Sequence, residues 1–159
     1  MKIQDLKSIR KKIFQYCAYQ ERSTFQILQK LKEYSLEIHE IEDIIAELKA
    51  NRFLDDERYI KSFVRGKFRN CHWGKLKIEQ ELLMQNFDKE SIQMALNEIE
   101  EDEYLETLEN IAIKKLKSFS KDAYRVQKTT KFLLQKGYET ELVQKIIKNI
   151  IKDGKLAMD

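Results

Sequence analysis

Residues 54–87 read LDDERYIKSFVRGKFRNCHWGKLKIEQELLMQNF. A hydrophobe followed by Asp55 and Asp56 supplies an N-cap oxygen and negative charge for the positive end of a helix dipole. Leu54, Asp55 and Asp56 therefore mark a helix start, and the two carboxylates are structural rather than catalytic. Tyr59, Ile60, Phe63, Val64 and Phe68 then recur at helical spacing. From Arg58 to Lys77 there is no Asp or Glu, whereas Arg58, Lys61, Arg65, Lys67, Arg69, Lys75 and Lys77 are basic. The stretch is one amphipathic helix, a break between Asn70 and Gly74, and a second helix.

Outside this stretch the same pattern returns at a period of 51 residues. Leu31, Leu82 and Leu133 align at that spacing, as do Leu36, Phe87 and Tyr138; Ile41, Ile92 and Val143; Ile45, Leu96 and Ile147; Leu48, Ile99 and Ile150. Upstream, Ile9, Ile60 and Ile111, then Cys17, Phe68 and Phe119, match more loosely. Three repeats are expected, at 1–53, 54–104 and 105–152, with a frayed tail at 153–159. Each reads as three helices. Ser23 with Gln26 makes a capping box, Asp88 caps the last helix of the second repeat, and Asn86 and Gly137 sit where helices end in a left-handed residue.

Composition agrees with an all-α chain. Proline is absent, there are only four glycines, and 42% of the 159 residues are hydrophobic, enough to bury a core. A three-helix unit of this size is marginal alone, so the expected architecture is three tandem three-helix repeats stacked into an elongated curved array. No apolar run reaches signal-peptide or membrane-spanning length, and Cys17 and Cys71 form no disulfide or zinc spacing, which predicts a cytoplasmic protein with reduced thiols.

The net charge of +3 says little; the placement of charge says more. Residues 98–109 are acidic without a basic residue, and a secondary basic track follows at Lys114, Lys115, Lys117, Lys121, Arg125 and Lys128. With the repeats in register, separate positive and negative tracks are expected. Charge runs are commonly just solvated helix faces, but recurrence in several repeats favours a binding surface. No catalytic constellation is present: His39 and His72 stand apart, Cys71 and His72 alone cannot hold a metal, and Gly66 and Gly74 belong to no phosphate-binding loop. No cofactor is expected. Trp73 is read as packing the start of a helix, by analogy with Tyr124 at the matching position.

Leu54, Asp55, Asp56, Arg58, Tyr59, Phe63, Val64, Arg65 and Lys67, followed by Gly74, Lys77, Ile78, Gln80, Glu81 and Leu82, resemble the central motif of the RecX regulatory proteins over some thirty positions. Ile60, Gly66 and Asn86 depart from the small residues usual there, and His72 and Trp73 occupy a loop expected to be more basic. The resemblance implies a regulator that binds the RecA recombinase filament and lowers its ATPase and strand-exchange activity, and the repeat reading carries the expectation of a monomer. The alternative is a helical module acting directly on single- or double-stranded DNA, since three-helix units also serve as helix-turn-helix readers.

Overall fold

The computed structural model describes residues 4–156 and forms, among them, nine helices and no strand. These are α1 (Gln4–Tyr19), α2 (Thr24–Leu31), α3 (Ile38–Ala50), α4 (Asp56–Cys71), α5 (Lys75–Met84), α6 (Lys89–Leu96), α7 (Glu101–Ser118), α8 (Arg125–Gln135) and α9 (Thr140–Lys152). Helices pack within threes: α1 on α2 and α2 on α3; α4, α5 and α6 mutually; α7, α8 and α9 mutually. The chain exposes 10745 Å². A compact monomer of 19.1 kDa would expose about 8,400 Å², so the excess is that of an extended array.

The helix boundaries follow from local chemistry. Ser23 Oγ accepts from the Gln26 N–H while the Gln26 side chain accepts from the Ser23 N–H, closing the capping box. Asp55 and Asp88 accept from the backbone N–H groups of Arg58 and Ser91. Asn86 and Gly137 both take positive φ, +67° and +100°, and the N–H groups of Phe87 and Tyr138 return to the carbonyls of Leu82 and Leu133.

The five columns are buried or half-buried throughout, and Leu31, Leu82 and Leu133 are sealed in all three repeats. Upstream of α8 the register differs from the expected one. Ile60, Val64 and Phe68 on α4 correspond in burial to Leu108, Ala112 and Leu116 on α7, an offset of 48 rather than 51. The link between α7 and α8 (119–124) is three residues longer than that between α4 and α5 (72–74), which restores the 51-residue spacing downstream. The tail is also held further than its composition suggests. Leu156 packs against the core and Lys155 pairs with Glu109, so the residues to 156 are anchored; residues 157–159 lie outside the described part.

The apolar interior divides unequally. Ile9, Ile13, Ile27, Leu31, Ile44, Leu48 and Leu54 form one core, which places Leu54 with the first repeat although it precedes the helix start. The second and third repeats share one larger core. Where they meet, Gly74 lies against Gly137: the Gly74 N–H donates to the Lys136 carbonyl at 2.7 Å and the Leu76 N–H to the Gly137 carbonyl at 3.0 Å. A Cβ on Gly74 would fall 2.3 Å from the Gly137 carbonyl, so only glycine permits this approach.

Candidate partner-binding surface

The buried face of α4 is set by Tyr59, Ile60, Val64 and Phe68, and this orients its cations. Arg58, Lys61, Arg65 and Arg69 stand at i, i+3, i+7 and i+11 and share the opposite face. Lys67 does not: it leans over the rings of Phe63 and Trp73, its ammonium 4.7 Å from the Trp73 centroid. Lys77 reaches the same indole from α5, at 4.3 Å. Lys75 lies over Tyr104 at the junction with the third repeat, and its N–H donates to the Tyr104 hydroxyl. The seven candidate residues thus split into an arginine-rich face, a lysine–tryptophan cluster and one junction lysine.

The arginine-rich face is already partly neutralised. Arg58 Nε pairs with Glu21 of the first repeat at 2.7 Å, and its Nη2 donates to the Arg52 carbonyl, so it joins two repeats. Lys61 lies between Glu57 (3.4 Å) and Glu98 (3.6 Å), and Arg69 faces Glu103 at 3.5 Å. These carboxylates, Glu57 first and Glu98 next, push the Lys61 ammonium above its usual range. Arg65 makes no ion pair or hydrogen bond among the described residues. Glu98, Glu100 and Glu103 of the acid-rich stretch therefore come against α4, and the expectation of separate positive and negative tracks is corrected: here the two signs form the opposite walls of one cleft. Packing of α6 on α4, with the first turn of α7 brought to Phe68 and Arg69, causes this, which charge counting along the chain cannot see.

The secondary basic track does not continue the arginine-rich face. At the observed 48-residue offset, Lys61 and Arg65 correspond to Glu109 and Ile113. What recurs is the lysine–aromatic arrangement: Lys115 lies over Phe119 and Phe132, and Lys128 lies over Phe119 while pairing with Asp122. Lys114, Lys117 and Lys121 are exposed, and Arg125 opens α8 half-buried. Trp73 packs against the core as expected, but the analogy that suggested it fails, since Tyr124 is 65% exposed.

Asp55 is the cap of α4, as read from sequence, whereas Asp56 has a role that the sequence did not disclose. Its carboxylate accepts from the Thr24 N–H (3.0 Å) and hydroxyl (2.8 Å), tying α4 to the start of α2. Ser23 Oγ donates to Gln85 Oε1 beside it, at 2.9 Å. These polar links join repeats one and two at the position where Gly74 and Lys136 join repeats two and three, one period further on. The hydroxyl contacts of Tyr104 and Tyr138 are likewise not disclosed by the sequence, which marks Tyr138 only as an apolar column position. The Tyr104 hydroxyl donates to Glu139 within the third repeat and accepts from the Lys75 N–H across the second junction, and the Tyr138 hydroxyl donates to the His72 carbonyl across that same junction. No group of three or more His, Cys, Asp and Glu among the described residues is placed to hold a metal ion. None of the described helices is long and apolar enough to cross a membrane.

Helices packed in threes, with no strand among the described residues, define the class: an all-α protein built from three-helix units. The profile of the second three-helix domain of RecX matches residues 55–96, and that of the third matches 101–147. The chain belongs to the RecX family. It is 29% identical over 150 residues to the regulatory protein RecX of Neisseria meningitidis serogroup B, covering 93% of this chain and 94% of that one. With the regulatory protein RecX of Oceanobacillus iheyensis it is 28% identical over 137 residues, covering 85% of this chain but 50% of that one. The chain thus spans about half the length of some of the curated relatives it matches. The crystal structure of RecX from Lactobacillus salivarius superposes with a TM-score of 0.81 at 23% identity, covering 92% of this chain and 97% of that one.

Proposed function

We propose that this chain is a regulator of the RecA recombinase filament, docking through the α4 face and restraining ATP hydrolysis, strand exchange and filament growth during DNA repair and recombination. Membership of a family of regulatory proteins supports the regulatory role, and the motif at 54–82 supports RecA as the target. The observation that carries the reading is the alignment of the half-buried Lys61 with the exposed Arg65 and Arg69 along one face of α4 within the matched domain. An elongated array acting as a cytoplasmic monomer suits a partner that is itself a polymer. Titration of the protein against preformed RecA filaments on single-stranded DNA tests it, with ATP hydrolysis and co-sedimentation followed at two salt concentrations. Saturable inhibition with co-sedimentation is expected; no effect on either readout overturns it.

The recurrent lysine–aromatic clusters favour a second reading, direct binding of nucleic acid. Lys67 and Lys77 on Trp73, and Lys115 and Lys128 on Phe119, combine cations with rings in two repeats. Tight, salt-sensitive binding to DNA without RecA would promote it.

A further inference from the structure

The cleft between α4 and the α6–α7 junction holds about 410 Å³. Val64, Phe68, Ala95 and Ile99 form its apolar floor. One wall carries Lys61, Arg65 and Arg69 at successive turns of α4, and the other carries Glu98, Glu100 and Glu103. Two cross-cleft pairs span it, Lys61 with Glu98 and Arg69 with Glu103. Between these two rungs Arg65 has no carboxylate of its own, and Glu100 forms no ion pair among the described residues. Arg65 also borders the neighbouring cleft lined by Glu21, Asp55 and Glu57 and pairs with none of these acids.

We propose that this cleft grips a protein segment in which a carboxylate side chain stands next to an apolar one: the carboxylate is held by Arg65 and the apolar group lies on the Val64–Ile99 floor. The inference deepens the regulatory reading above and rests on it. A guanidinium presents a planar fork that matches a carboxylate with two parallel hydrogen bonds. One incoming carboxylate completes the ladder at its open middle rung, and a basic neighbour on the same segment satisfies Glu100. A nucleic-acid backbone fits poorly here. Its binding draws on release of counterions by unpaired cations, but Lys61 and Arg69 are already paired, and the glutamate wall would repel successive phosphates. Charge complementarity therefore selects an acidic-and-basic protein segment over a polyanion.

Two arms test this. In the first, wild type, Arg65→Glu, Arg65→Lys and the exposed control Lys148→Glu are titrated against RecA filaments, with thermal melts confirming the fold. Arg65→Glu is expected to weaken binding at least tenfold, Arg65→Lys to weaken it less, and Lys148→Glu to stay within twofold of wild type. In the second, the backbone amides of Val64, Arg65 and Ile99 are followed by NMR while a capped Leu-Glu-Leu-Lys peptide or a single-stranded oligothymidine is added. The peptide should shift these amides and the oligothymidine should not. If the wild type ignores the filament while the peptide still fills the cleft, the RecA reading falls and this inference stands. Filament binding that survives Arg65→Glu overturns the inference and leaves the RecA reading intact, as oligothymidine shifts in the cleft, or no peptide shift, would also do.

Discussion

Thr129 has the one buried side-chain oxygen without a hydrogen-bond partner among the described residues. It lies on α8 in the column whose other members, Ile27 and Ile78, are fully buried isoleucines. A hydroxyl desolvated without a partner costs about 1–3 kcal/mol, and valine has nearly the same shape without it. Thr129→Val should therefore stabilise the fold by about 1 kcal/mol and raise the melting temperature by about 2–4 °C. A lower melting temperature would show that the hydroxyl has a partner in solution. Three of the seven tyrosines, Tyr59, Tyr104 and Tyr138, have phenols raised above the ordinary value, by burial first and, for Tyr104, by its bond to Glu139 next. The native state thus keeps protons that the unfolded chain loses near pH 10. Stability should be undiminished below that pH and should fall as pH rises above it. Ultraviolet titration should show these three phenolates appearing only with unfolding, and free titration of all seven in the folded protein would contradict the burial.

At the scale of the helix, two glycines of the second repeat should respond oppositely to the same change. Gly66 lies within α4, where an added Cβ would meet only the Asn70 side chain at 4.0 Å. Gly66→Ala should stabilise by about 0.5–1 kcal/mol, because alanine has less backbone freedom to lose. Gly74→Ala pushes a methyl into the backbone of Gly137 and Tyr138 and should destabilise by about 1–3 kcal/mol or more. Urea midpoints of the two variants, displaced to either side of wild type, check the pair; a harmless Gly74→Ala would mean that the second and third repeats do not meet there. The helices themselves were largely legible. Asp55, Asp88, the Ser23–Gln26 box and the left-handed Asn86 and Gly137 act through residues within a few positions, so their spacing along the chain is enough to read them. The sequence reading groups Lys67 with Arg58, Lys61, Arg65 and Arg69, although helical spacing already puts it on another face of α4.

Over the whole molecule, the two junctions differ in kind. The first repeat has its own core and meets the second through Ser23–Gln85, Thr24–Asp56 and Glu21–Arg58. Repeats two and three share one core, bridged by the Lys75 N–H on the Tyr104 hydroxyl and by the Tyr138 hydroxyl on the His72 carbonyl. Surface ion pairs contribute about 0–1 kcal/mol and are screened by salt, whereas apolar burial is not. Native-state hydrogen exchange should accordingly find α1–α3 opening at a lower free energy than α4–α9, with the gap wider in Asp56→Ala. A single opening energy shared by all nine helices would refute this division.

The sequence alone determined the helical class, the threefold repeat and the RecX resemblance, because each depends on periodicities and caps that one chain position imposes on its near neighbours. Tertiary structure decided which cations remain available. Lys61 and Arg69 look free along the chain, yet Glu98, in the link before α7, and Glu103, on α7, reach them from far along the sequence. Arg58 looks like a contact residue and proves to be a tie between repeats. The tracks seen in the sequence became the two walls of a cleft because α6 packs on α4 and brings the start of α7 to its end, and the interaction between charges depends on distance in space, which order along the chain does not set.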